Sequence, residues 1–176
     1  MRHNLIENVD SLENCSKLEF LFLSNNRLNN LDKLIKLSEM NTLFISNNHI
    51  KNIDFLIGMK DSLAVFEASN NGIENINVLK NCKKLSNLNL SNNNIKEIDC
   101  LTNLIALNIL DLSNNQIEAI DSLKKITKLT DLYLNDNKIR NIDSLRNLKR
   151  LNFETIKFIL NYYLEIIALQ IYQVSF

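Results

Sequence analysis

Residues 107–126 read LNILDLSNNQIEAIDSLKKI, and two periods meet inside this one stretch. Leu110-Asp111-Leu112 alternates apolar and polar residues, the period of a short strand with one buried face. From Ile117 onward the apolar positions are Ile117, Ile120, Leu123 and Ile126, one residue in three. That spacing fits the turn of a 3₁₀ helix better than the roughly 3.6 residues per turn of an α-helix. Between the two patterns lies Ser113-Asn114-Asn115-Gln116. The unit therefore reads as a strand, a tight asparagine turn and a narrow return segment.

The stretch is one copy of a repeat. Units begin at Leu18, Met40, Leu63, Leu85, Leu107 and Leu129, at spacings of 22, 23, 22, 22 and 22, and Leu151 opens a seventh. The strand pairs are Leu21/Leu23, Leu43/Ile45, Phe66/Ala68, Leu88/Leu90, Leu110/Leu112 and Leu132/Leu134. Proline is absent and the only glycines are Gly58 and Gly72. The turns must then come from asparagine, which tolerates left-handed backbone and bonds its own main chain. The column Asn26, Asn48, Asn71, Asn93, Asn115 and Asn137 falls where strand becomes loop. A side chain with both donor and acceptor there can stack on its copy in the next repeat and satisfy loop groups that would otherwise be buried unpaired. A second column, Asp10, Asp32, Asp54, Asn77, Asp99, Asp121 and Asp143, precedes each return segment. It reads as a set of N-caps, with merely solvated carboxylates as the alternative.

The motif LxxLxLsNNxIxxIdxL resembles the leucine-rich repeats, and within them the 22-residue subclass found in a nuclear regulatory subunit of protein phosphatase type 1. Similar units occur in axonemal and ciliary proteins and in a spliceosomal scaffold subunit. The resemblance spans residues 4 to about 151. It implies an α/β solenoid, a right-handed superhelix with a concave parallel sheet and 3₁₀-like or irregular convex segments. It also implies a non-enzymatic protein-interaction module, with a Ser/Thr phosphatase or a cytoskeletal protein as partner.

The ends depart from the pattern. Residues 4–18, NLIENVDSLENCSKL, align with residues 137–151, NKIRNIDSLRNLKRL, so the chain opens inside a repeat whose strand is missing. The expected organisation is a partial repeat over 1–17, six repeats over 18–150 and a distinct tail over 151–176. Glu154 stands at an apolar position and Ile159 replaces the expected asparagine, after which residues 158–172 are apolar nearly all round. This tail reads as a degenerate cap, as a segment foreign to the family, or as a membrane anchor interrupted by Asn161, Glu165 and Gln170.

Composition narrows the function classes. Twenty basic residues balance twenty acidic ones in 176, with 45% hydrophobic and 23% charged content. An ordinary globular chain with no overall field is not expected to bind nucleic acid directly, and a membrane partner is not expected either. His3 and His49 have no carboxylate or cysteine at metal or triad spacing, and two isolated glycines cannot cradle a phosphate. No catalytic, cofactor or metal residue is therefore assigned. Cys15 and Cys82 share a column with Leu37, Met59, Leu104, Ile126 and Leu148 and read as small core residues, while Cys100 should be more exposed. Three scattered cysteines, and an N-terminus without an apolar signal core, point to a reducing compartment, the cytoplasm or nucleus.

Binding residues are sought at the outward positions of the strands. One column reads Phe22, Phe44, Glu67, Asn89, Asp111, Tyr133, and its neighbour Phe20, Thr42, Val65, Asn87, Ile109, Asp131. Phe20, Phe22 and Phe44 form an aromatic half, which marks a partner surface unless N-terminal residues cover them. Glu67, Asp111 and Asp131, with Asn89 and Tyr133, form an acidic half suited to a partner with a basic patch. A third column, mostly serine from Ser24 to Ser113, is small and should leave both accessible.

Overall fold

The computed structural model describes residues 4–152. His3 and the apolar stretch 158–172, with all three readings of the tail, lie outside the described residues. Six strands of three residues each, β1 (Phe20–Phe22), β2 (Thr42–Phe44), β3 (Val65–Glu67), β4 (Asn87–Asn89), β5 (Ile109–Asp111) and β6 (Asp131–Tyr133), pair in sequence order into one open parallel sheet. The register keeps Leu21, Leu43, Phe66, Leu88, Leu110 and Leu132 in a single line across the strands. All six are buried, as expected of a strand whose central side chain faces the core.

The return segments are 3₁₀ helices, as the period of three predicts. They are Asp10–Leu12, Asp32–Lys36, Asp54–Met59, Asn77–Asn81, Asp99–Asn103, Asp121–Lys125 and Asp143–Asn147, and no α-helix occurs among the described residues. A 3₁₀ turn rises faster and is narrower than an α-turn, so about one and a half turns close each repeat. One continuous core runs from Val9 to Leu151. In each interior unit every third residue along the return path, such as Ile117, Ile120, Leu123 and Ile126, is sealed against its copies on either side. The extra residue of the unit that opens at Met40 is absorbed near Asp54–Met59, the longest of the 3₁₀ segments. There Gly58 lies against the preceding repeat so closely that a Cβ would sit 1.8 Å from the Ile35 carbonyl oxygen.

Asparagine makes the turns in two ways. The first of each pair, Asn25, Asn47, Asn70, Asn92 and Asn114, takes φ between 54° and 60°, with Asp136 at 55° in the last unit. Asn and Asp enter this left-handed region at lower cost than other side-chain-bearing residues. The second of each pair forms the ladder. Asn115 Nδ2 donates to Leu90 O (3.0 Å), Leu112 O (3.0 Å) and Ser113 O (3.2 Å), and its Oδ1 accepts from Ile95 N–H (3.0 Å). Asn48 and Asn93 repeat this set of bonds one and more units earlier. Each ladder asparagine thus ties its own turn to the turn before it through main-chain groups. The expected satisfaction of loop main-chain groups is seen in these bonds, and adjoining copies share acceptors, Asn26 and Asn48 both donating to Leu23 O.

The aspartate column does not cap. No return segment has a side-chain cap bond from the residue preceding it, and the aspartates stand inside the first turn. The carboxamides two residues earlier do that work. Asn8, Asn30, Asn52 and Asn141 accept the backbone N–H of Asp10, Asp32, Asp54 and Asp143 at 2.6, 2.7, 2.7 and 2.7 Å, and Asn75 accepts that of Asn77 at 2.9 Å. An Asx turn reaches a donor two residues ahead, so the cap is set by the residue before the apolar one, not by the residue after it. Glu97 and Ala119 hold that position in the other two units, where no such bond forms.

A second correction concerns Cys15, which is exposed although its column is buried elsewhere. Leu37, Met59, Cys82, Leu104, Ile126 and Leu148 are each covered by a preceding repeat. Cys15 belongs to the first unit, with no complete repeat before it.

Candidate protein-binding face

The outward side chains of the sheet lie in two rows crossing all six strands. Register places Phe22 beside Phe44, then Glu67, Asn89, Asp111 and Tyr133 in turn. The flanking row runs Phe20, Thr42, Val65, Asn87, Ile109, Asp131. The aromatic and acidic residues read from the sequence thus fall on one face, the aromatics on β1 and β2 and the acidic residues from Glu67 on β3, beside Phe44, to Asp131 on β6.

At the β1–β2 end Phe20 is 55% exposed and Phe22 36%, while Phe44 is partly buried. The rings of Phe22 and Phe44 meet edge to face, with centroids 5.0 Å apart and planes at 83°. That geometry matches the quadrupole preference of aromatic pairs and fixes both rings, so a partner would meet a preformed apolar surface. Thr42, beside Phe20 in the flanking row, is buried, its hydroxyl donating to Asn41 Oδ1 at 3.0 Å. Ile109, 37% exposed on β5, is an apolar outward residue that the choice of aromatics passed over; its place in the Phe20 column was the available signal.

The polar half is less free than its sequence implies. Asn89 Oδ1 accepts from Ser91 N–H (3.0 Å) and Oγ–H (2.8 Å), and Asp111 Oδ1 accepts from Ser113 N–H (3.0 Å) and Oγ–H (2.6 Å). These side chains brace the exit from strand to asparagine turn, Asp111 using Oδ1 for the purpose. Asp131 Oδ2 accepts from Thr130 Oγ–H at 2.7 Å. Glu67, Asn89, Asp111, Asp131 and Tyr133 are all partly buried. The serine column is buried at Ser24, Ser46, Ser91 and Ser113. Beyond being small, it bonds into the turns, Ser46 Oγ also accepting from Ser69 N–H at 3.1 Å.

Among the described residues no group of three or more His, Cys, Asp or Glu side chains is arranged to hold a metal ion. Burial pushes the Cys82 thiol up to about 11. Cys100 is more exposed than Cys82, as expected, but still packs partly against the core, and its Sγ–H donates to Ile76 O at 3.3 Å. Burial pushes that thiol up to about 12. Neither is a nucleophile at neutral pH, where the thiolate is the reactive form.

A family model described as leucine-rich repeats in two copies matches residues 83–125 and 105–147. Among curated proteins none matches the sequence significantly. Solved structures do. An internalin C2 from Listeria monocytogenes superposes with a TM-score of 0.84 at 30% identity, covering 86% of this chain and 66% of that one. An internalin inlF from the same organism gives 0.71 at 29%, covering 84% and 50%. The leucine-rich-repeat ectodomain of the plant membrane receptor kinase GASSHO1/SCHENGEN3 from Arabidopsis thaliana, in complex with Casparian strip integrity factor 2, gives 0.75 at 25%, covering 86% and 20%. The chain therefore spans between a fifth and about two thirds of the length of these neighbours. Repeat motif, asparagine ladder, parallel sheet and matched neighbours agree: the chain carries leucine-rich repeats, matched by the family model over residues 83–147, and shares the fold of these repeat proteins.

Proposed function

We propose that this chain is a non-enzymatic module that binds a partner protein on its concave sheet face, with Phe20, Phe22 and Phe44 as the apolar anchor. The observation carrying this reading is the preformed aromatic surface at the β1–β2 end, where Phe20 and Phe22 stand exposed and the Phe22 and Phe44 rings lock each other. Exposed rings on a sheet face cost solubility and return nothing to the fold, whereas fixed aromatics are the side chains that dominate interface energetics. Glu67, Asp111 and Asp131, with Asn89 and Tyr133, would steer a basic patch of the partner onto the remainder of the face. The plant receptor ectodomain with its bound factor supports such use of the fold.

The narrower reading is a regulatory or scaffold subunit, with a Ser/Thr phosphatase or a cytoskeletal protein as partner and the cytoplasm or nucleus as location. What supports it is the 22-residue motif and the free state of Cys15, Cys82 and Cys100. The test captures partners with the full chain and titrates each identified protein, the phosphatase catalytic subunit first. Phe22→Ala or Phe44→Ala should weaken binding by ~2 kcal/mol or more, and Lys125→Ala on the far side should leave it intact. Loss from Lys125→Ala with none from the phenylalanines would place the site elsewhere.

A further inference from the structure

The flank of the solenoid formed by the return segments changes chemistry halfway along its length. Three columns, exposed at most positions, run along this flank. In the last four units the first column holds Lys80, Thr102, Lys124 and Arg146, and the second Lys83, Ile105, Thr127 and Lys149. The third holds Lys84, Ala106, Lys128 and Arg150, so cations dominate and no carboxylate appears. In the first three units the same columns hold Glu13, Ile35 and Ile57, then Ser16, Ser38 and Asp61, then Lys17, Glu39 and Ser62.

Ion pairing divides at the same point. The lysines of the first half are neutralised locally: Lys17 by Glu39, Lys36 by Glu13 at 2.6 Å with Lys33 at 3.7 Å, and Lys60 by Asp61 at 3.2 Å. In the second half Arg146 meets Asp143 at 3.1 Å. Lys80, Lys83, Lys84, Lys124, Lys128 and the adjacent Lys149 and Arg150 make no ion pair among the described residues. The 3₁₀ segments stack in consecutive order, about 4.8 Å apart if they follow the strand spacing. The cations therefore occupy one strip roughly 15 Å long, in which those of adjoining repeats lie within about one Debye length of each other at physiological salt and reinforce one another, with Asp99 and Asp121 at the other end of the same segments.

Within this field Ile105 is 60% exposed. An isoleucine among unpaired lysines is unfavourable toward water and gains nothing from a phosphate backbone, but at a lipid interface the apolar side chain enters the headgroup boundary while the cations meet anionic headgroups. The three columns contain no aromatic side chain on which bases could stack. No α-helix on this flank could enter a duplex groove. We propose that this basic flank, centred on Ile105, docks the protein peripherally on an anionic membrane surface, leaving the concave face open to its partner. The site is separate from the phenylalanine face.

The test is co-sedimentation of the full chain with phosphatidylcholine vesicles, with and without phosphatidylserine, over a salt series. Wild type should bind only the phosphatidylserine vesicles and be released as salt rises. The triple variant K84E/K128E/R150E should lose on the order of a hundredfold or more in partitioning, and Ile105→Ser should lose several-fold. Lys51→Glu and Lys138→Glu, exposed on the opposite rim, should bind as wild type. Circular dichroism checks that every variant is folded. Equal binding to neutral vesicles, or binding indifferent to the triple reversal, overturns the proposal and leaves another segment as the lipid contact. Absence of vesicle binding also overturns it. Flank-dependent binding of duplex DNA would then identify a different polyanion, and flank-dependent self-association would identify the acidic flank of a second copy.

Discussion

Replacing Asn115 by alanine tests whether the asparagine ladder holds the repeats together. The side chain makes four bonds, three given by Nδ2 to Leu90 O, Leu112 O and Ser113 O and one accepted from Ile95 N–H. Their loss is not equal. Leu90 O still accepts from Asn93 Nδ2, and Leu112 O from Asn137 Nδ2. The Ile95 N–H keeps no partner, in a residue sealed from solvent. An orphaned buried donor costs about 1–3 kcal/mol, and weakening the bonds to the carbonyls adds about 1 kcal/mol. The sum is about 2–4 kcal/mol, a large share of a domain's stability. Urea unfolding followed by circular dichroism reads it as a lower midpoint at unchanged slope. Asn115→Asp discriminates further. A carboxylate can accept from Ile95 N–H but faces three carbonyl oxygens, so its folded pKa is raised. Its added penalty is then absent below the unfolded pKa, about 3.9, grows as pH rises past it and levels off above the folded value. A cost below about 0.5 kcal/mol for Asn115→Ala, on the scale of an inert surface change, would mean that water replaces the side chain and would refute the stitching argument.

Two further outcomes follow from close packing and from burial. Gly58→Ala should destabilise by about 1–3 kcal/mol or more, because its Cβ would meet the Ile35 carbonyl oxygen at 1.8 Å. Gly72→Ala should cost little, since its nearest neighbour is the flexible Lys51 Cγ at 3.3 Å; equal thermal shifts for the two would discount the contact. Thiol titration at pH 8 should find Cys15 reacting fast and alone. Cys82 and Cys100, pushed up to about 11 and about 12, have thiolate fractions of only ~10⁻³ and ~10⁻⁴ and should react after denaturant is added. Two fast thiols in the native protein would contradict the burial of Cys100.

Much of the architecture is written locally and can be read from one unit. The alternation Leu110-Asp111-Leu112 places a strand, the period of three from Ile117 to Ile126 selects 3₁₀ geometry, and the lack of proline hands the turns to asparagine. Each depends on a residue and its near neighbours along the chain, so every repeat carries its own copy. The outward columns were legible for the same reason, because a strand's alternation fixes which side chains leave the core.

What only the tertiary structure decided depends on the adjoining repeat. Asn114 and Asn115 are the same residue type side by side, yet one takes φ 54° and the other is buried with four bonds, since only the second faces the preceding turn. The cap belongs to Asn30 and Asn52 and not to Asp32 and Asp54, a matter of reach from a turn whose shape the stacked repeats impose. Cys15 follows its column's pattern but not its burial, because burial there is supplied by a preceding unit. Asp111 is charged and outward, as its position says, but half committed to Ser113. The lysines look alike along the chain, and only the fold shows that Lys36 lies 2.6 Å from Glu13 while Lys84 and Lys128 on the later flank make no ion pair among the described residues. A repeat motif specifies what each unit offers to its neighbour. Whether a neighbour is there, and which charges it brings, is set by contacts between residues some 22 positions apart, which no local pattern records.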